Sequence, residues 1–74
     1  MNIVSPTHKK FGDRIKELRD KHKLTQEDLA DKVGVDRSYM GFLERGEKNP
    51  TLKNLIRIAK AFDITLSKLF DKID

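Results

Sequence analysis

Apolar residues recur along this chain at spacings of three and four, the period of a helix packed on one side. Phe11, Ile15 and Leu18 fall on one stripe with His22 and predict a first helix running to about residue 22. Ser5 stands where it can cap that helix, with Pro6 at the first position. Gly12 lies inside it and costs about 1 kcal/mol relative to Ala. Leu29, Ala30 and Val33 form the inner face of a second helix that begins after Thr25 and stops at Gly34. Thr25-Gln26-Glu27-Asp28 has the form of a capping box, with Asp28 where Glu or Gln is usual. Asp36 is expected to cap a third helix, Arg37 to Arg45, which Gly46 ends. Asn49-Pro50 is a loop signal. Thr51 then caps a fourth helix, Leu52 to Phe62, and Thr65 caps a fifth, Leu66 to about Ile73. No stretch alternates as a strand would, and no repeat or low-complexity segment interrupts the series. The pattern predicts an all-α chain of five short helices.

A length of 74 residues makes one domain, residues 1–74, and leaves no room for a second. With 36% apolar and 38% charged residues the core must be small, which points to a second copy or a partner sharing the stabilisation. The absence of Cys removes disulfides, thiol catalysis and cysteine metal sites. No apolar run approaches the ~20 residues of a membrane span. Met1-Asn2-Ile3-Val4-Ser5-Pro6 is no signal peptide, its apolar stretch being only two residues long. A soluble cytoplasmic protein is expected, with no cofactor, no metal and no small-molecule ligand.

The net charge of +4 is unevenly distributed. Residues 9–23 carry seven basic and three acidic side chains, whereas residues 27–36 set Glu27, Asp28, Asp31 and Asp36 against Lys32 alone. A basic surface is interrupted by a short acidic one. The overall charge is compatible with an anionic partner without requiring it.

The second and third helices are eight or nine residues long and joined only by Gly34-Val35-Asp36. Two short helices across a tight Gly-containing turn read as a helix-turn-helix over residues 25–46. On the third helix Met40 and Leu43 point inward, flanked by Tyr39, while Arg37, Ser38, Gly41 and Arg45 point outward. A guanidinium forks onto guanine N7 and O6, and a serine hydroxyl bonds several base edges. Gly41 would let the helix approach a groove closely. Phe42, at the edge of the outer face, either meets a thymine methyl or packs on Arg45 or a core neighbour. Candidate phosphate binders surround this helix. They are Gln26 at the start of the second helix, Arg45, Lys48 and Asn49 after the third, and Lys53 in the first turn of the fourth.

The runs Leu24-Thr-Gln-Glu-Asp-Leu-Ala-Asp-Lys-Val-Gly34 and Val35-Asp-Arg-Ser-Tyr-Met-Gly-Phe-Leu-Glu-Arg-Gly46, followed by Asn49-Pro-Thr51, resemble the Cro/CI-type (XRE-like) helix-turn-helix family. The likeness covers about residues 8–70. Asp36-Arg-Ser-Tyr39 with Leu43-Glu-Arg-Gly46 and Asn49 is most similar to the controller proteins of restriction-modification systems, although phage and plasmid repressors share much of it. The resemblance implies a five-helix, lambda-repressor-like domain that binds a palindromic operator on double-stranded DNA as a homodimer. It implies base contacts from Arg37, Ser38 and Tyr39, and phosphate contacts from Gln26, Lys48 and Asn49. Many phage repressors have Gln where Arg37 stands, which shifts the base preference toward guanine. The resemblance also implies a buried ion pair between Arg19 and Glu44. For a controller it further implies activation and repression of its own operon.

Leu66, Leu69, Phe70 and Ile73 share a face of the fifth helix, and Leu52, Leu55, Ile56, Ile58, Ala59 and Phe62 give the fourth a broad apolar arc. Together they exceed what a monomer of this size hides, so residues 51–74 are the expected dimerisation region. The alternative is that they complete the monomer core. The acidic stretch has two readings. Glu27, Asp28 and Asp31 stabilise a helix start and keep the protein soluble; or, as the family resemblance implies, Glu27 and Asp31 touch RNA polymerase. His8 and His22 are edge-of-core residues on this pattern, and no phosphate-cradling glycine loop or Ser/His pair suggests an enzyme. An antitoxin-like interaction module is the competing class, disfavoured because the chain ends at Asp74, directly after the fifth helix.

Overall fold

The computed structural model describes residues 5–73 and contains five helices in that span. The Met1–Val4 stretch discussed above and Asp74 lie outside the described residues. The helices are α1 (Pro6–His22), α2 (Gln26–Val33), α3 (Arg37–Glu44), α4 (Leu52–Ala61) and α5 (Leu66–Leu69). None is long and apolar enough to cross a membrane. The ends of α3 and α4 fall one residue short of expectation, with Arg45 and Phe62 as their C-caps.

The hydroxyls expected to start helices do so. Ser5, Thr25, Thr51 and Thr65 each accept a hydrogen bond from the backbone N–H three residues on. At α2 the bond is reciprocal: Asp28 Oδ2 accepts from the Thr25 N–H at 2.9 Å. The Thr25 backbone and hydroxyl hold the Asp28 carboxyl below its usual range. A carboxyl lowered in the folded state stabilises it above the unfolded value, and that contribution disappears as the pH falls through the folded one. Asp28→Ala should therefore lower the thermal midpoint at neutral pH, and the gap from wild type should close as the pH drops below about 4. A gap independent of pH would rule out the carboxylate as its source.

Two expectations fail here. Asp36 occupies the N-cap of α3 but makes no side-chain cap bond. Its charge still favours the positive end of the helix, without satisfying a specific N–H. The fifth helix stops at Leu69 rather than near Ile73. Lys72 has a φ of 67°, which a right-handed helix cannot accommodate, and residues 70–73 close instead as a turn with the Ile73 N–H on the Phe70 carbonyl.

The core lies where α3 packs on α1 and α2, with α2 on α4 and α4 on α5. Ile15, Leu29, Met40, Ile58 and Leu69 are completely buried in it. Leu69 was expected at a dimer surface. It is fully enclosed and offers nothing to a partner, because this face of α5 completes the monomer core. Leu66 and Ile73 are half-buried against the core, and Phe70 is 36% exposed with its ring 5.7 Å from that of Phe11. The larger exposed apolar surface is on α4, where Leu52 and Ile56, one turn apart, are 66% and 38% exposed. Arg14 of α1 ties down α5 by donating to the Lys68 and Leu69 carbonyls at 2.8 and 3.2 Å.

Gly12 is buried at the crossing of α1 and α3. A Cβ there would lie 2.2 Å from the Glu44 carbonyl oxygen and 2.8 Å from that of Leu43. Its helix-weakening lack of a side chain is what lets the two backbones meet.

Candidate nucleic-acid interface

The interface is built on the α2–turn–α3 unit. Gly34 caps α2 with φ 85°, a left-handed conformation that glycine adopts without strain. Val35 follows, half-buried against the core. Met40 and Leu43 anchor the inner face of α3. That anchoring turns Arg37 and Ser38, in the first helical turn, fully outward.

The inner end of α3 is fixed by charge. Glu44 is 2% exposed and receives the Arg19 guanidinium in a fork, Nε to Oε2 at 2.6 Å and Nη2 to Oε1 at 3.0 Å. The predicted pair between Arg19 and Glu44 is thus formed. Arg19 Nη1 also donates to the Leu24 carbonyl at 3.0 Å, and the Glu44 carboxylate raises the guanidinium pKa above its already high ordinary value. Gln26 joins the cluster: its Nε2 donates to Glu44 Oε1 at 3.2 Å. One amide proton of Gln26 is thereby engaged.

Gly41 does not face outward as expected. It is buried, and a Cβ there would lie 3.1 Å from Arg45 Nη1 and 3.6 Å from Gln26 Oε1. The space it leaves is taken by Arg45 from the end of α3 and by Gln26 from α2. Phe42 is half-buried beneath two cations, with Arg45 Cζ at 5.1 Å and Lys48 Nζ at 5.3 Å from its ring centre. The packing alternative for Phe42 is realised, and the ring holds two candidate phosphate binders in place. Arg45 is further tethered to Glu47 at 3.0 Å.

Tyr39 is half-buried, and its hydroxyl accepts from Asn54 Nδ2 at 3.1 Å. This bond joins the first turn of α3 to the first turn of α4, where exposed Lys53 lies. Asn49 is exposed and sits on His8, with Oδ1 3.1 Å from the ring Nε2. His22 lies over Phe62, ring centres 5.1 Å apart. Glu27 and Asp31 are exposed on α2. Among the described residues no cluster of His, Asp or Glu could hold a metal ion.

Sequence reasoning missed Asn54, His8 and Glu47 as supports of the interface. Asn54 and His8 act across long separations that no periodicity encodes. Glu47 lies two residues from Arg45, and its opposite charge was the available signal.

Residues 15–69 match the helix-turn-helix family. Over 57 residues the chain is 47% identical to an uncharacterised HTH-type transcriptional regulator of Archaeoglobus fulgidus, covering 77% of this chain and 81% of that protein. It is 41% identical over 66 residues to the control protein C.MunI of a Mycoplasma species, covering 88% and 89%. The crystal structure of the restriction-modification controller protein C.AhdI from Aeromonas hydrophila superposes with a TM-score of 0.82 at 48% identity, covering 85% of this chain and 96% of that one.

Proposed function

The chain belongs to the XRE-type helix-turn-helix family of transcriptional regulators, and from that footing we propose that it is a restriction-modification controller that binds a palindromic operator as a homodimer. The relatives are regulators and not enzymes. The observation that carries the DNA-binding reading is the pairing of a free outer edge with a locked inner one. Arg37 and Ser38 are exposed at the first turn of α3, while Glu44 at its other end is pinned by Arg19 and Gln26. A side chain that must find a guanine edge gains from a helix that cannot shift.

In this reading Arg37 and Ser38 read bases, with Tyr39 in the same turn and Phe42 in the next. Gln26, Arg45, Lys48, Asn49 and Lys53 bind phosphates. Arg37→Ala should weaken binding to the DNA upstream of the protein's own coding region about 10- to 100-fold and flatten its sequence preference, as loss of a bidentate guanine contact does. Unchanged affinity in a filter-binding titration would remove Arg37 from the readout.

The homodimer reading is supported by the exposed apolar surface of α4 and by Phe70. A two-fold pair would set its recognition helices ~34 Å apart, one turn of DNA. Ile56→Glu places a charge on that surface without touching the core, and should convert the dimer to monomer in sedimentation at about 10 µM. A monomeric wild type at that concentration would contradict the assignment. RNA polymerase is the candidate partner of exposed Glu27 and Asp31; reversing both charges would then abolish activation and leave operator binding intact. A controller activates its operon from a strong site and represses it when a second dimer fills a weaker neighbour.

A further inference from the structure

His8 and Asn49 are 41 residues apart in the chain, yet they meet where α1 starts and the loop after α3 leaves the interface. Their hydrogen bonds admit two polarities, set by which ring nitrogen of His8 carries the proton. Ser5 Oγ accepts from the His8 backbone N–H at 3.0 Å, and the same oxygen lies against His8 Nδ1. The hydroxyl proton of Ser5 is then available to Nδ1 as acceptor. An imidazole that accepts at Nδ1 carries its proton on Nε2. Nε2 faces Asn49 Oδ1 at 3.1 Å, and in that tautomer the ring donates and the amide oxygen receives. With its oxygen on His8, exposed Asn49 has its NH2 group left for another acceptor. The opposite polarity is also self-consistent: Nδ1–H donating to Ser5, and Nε2 accepting from the Asn49 amide. It would turn the Asn49 oxygen outward, and an oxygen there repels a phosphate.

We propose that His8 is a positioning residue for DNA binding, which holds the Asn49 carboxamide with its donor end toward the phosphate backbone. The proposal rests on the reading of Asn49 as a phosphate contact. It makes the start of α1 part of the interface although His8 itself need not touch DNA. Ser5 sets the proton position, His8 transmits it, and Asn49 uses it.

The test is a double-mutant cycle on a mixed-sequence DNA duplex at low salt, because phosphate contacts do not depend on sequence. Asn49→Ala should weaken binding about 10-fold and His8→Ala about 3- to 5-fold, the range of one hydrogen bond lost or left unaligned. The double variant should be no weaker than Asn49→Ala alone. His8→Gln, which can still donate to the amide oxygen, should recover part of the loss. Thermal midpoints serve as the control for folding, and His8→Ala retains the backbone N–H that Ser5 caps. Nitrogen chemical shifts of the free protein at about pH 8.5, where an ordinary imidazole is neutral, should show the proton on Nε2. Wild-type affinity for His8→Ala, additive losses in the double variant, or a proton on Nδ1 would each overturn the positioning role while leaving Asn49 as a phosphate contact. Wild-type affinity for Asn49→Ala would overturn the phosphate contact itself.

Discussion

Arg19→Ala should lower stability by about 3–5 kcal/mol, the usual result of stripping one partner from a buried ion pair. A domain of 74 residues has roughly 4–11 kcal/mol in total, so about half would be lost. The thermal midpoint should fall by at least ~15 °C. The two halves of the pair are not equivalent. The Glu44 side chain is 2% exposed and that of Arg19 is 17% exposed. Without Arg19 the carboxylate stays enclosed with Gln26 as its remaining donor. Without Glu44 the guanidinium can reach water, so Glu44→Ala should cost less. Equal midpoints for Arg19→Ala and wild type would show that the pair contributes nothing.

Gly12→Ala should destabilise by about 3 kcal/mol or more, although helix propensity alone favours Ala by about 1 kcal/mol. The deciding quantity is the 2.2 Å separation between the added Cβ and the Glu44 carbonyl oxygen. The neighbours at Gly12 are backbone atoms of Leu43 and Glu44, which cannot swing aside as a flexible side chain would. To admit the methyl group, α1 must move off α3. That displacement also pulls Arg19 from Glu44, since the glycine and the arginine grip the same residue from one helix. The loss should therefore exceed a simple overpacking effect, and the double variant with Arg19→Ala should be less than additive. Urea unfolding measures both. A midpoint for Gly12→Ala at or above wild type would mean the helices have slack at their crossing.

Gly12 also shows where sequence reasoning stops. Periodicity placed five helices, and capping chemistry at Ser5, Thr25, Thr51 and Thr65 set their starts, because both signals are local. The helix-turn-helix was legible for the same reason: Gly34 and the inward pair Met40 and Leu43 lie within a few residues of what they act on. Gly12 read as a cost because the backbone that requires it is some thirty residues away. Gly41 read as an opening toward a groove because periodicity does not show that the long side chains of Arg45 and, from another helix, Gln26 fold over it. Leu69 read as a dimer contact because a local apolar stripe does not say whether it faces a partner or its own core, and Leu66, Leu69 and Ile73 in fact pack inward. Arg19 and Glu44 were placed together by family likeness rather than spacing, and the structure supplies the fork that joins them.

These elements serve one arrangement. Gly12 and Arg19 hold Glu44, Glu44 holds Gln26 and the inner end of α3, and the outer end carries Arg37 and Ser38 into solvent. The measurement that tests this most directly is a gel-shift titration of wild type and Arg37→Ala on the DNA upstream of the protein's own coding region, with unrelated competitor DNA at two salt concentrations. Wild type should give two successive shifted bands that resist competitor, and Arg37→Ala should lose them. Weak binding that competitor and salt remove equally from both proteins would contradict it, because only the basic surface would then be binding, and only to the phosphate backbone.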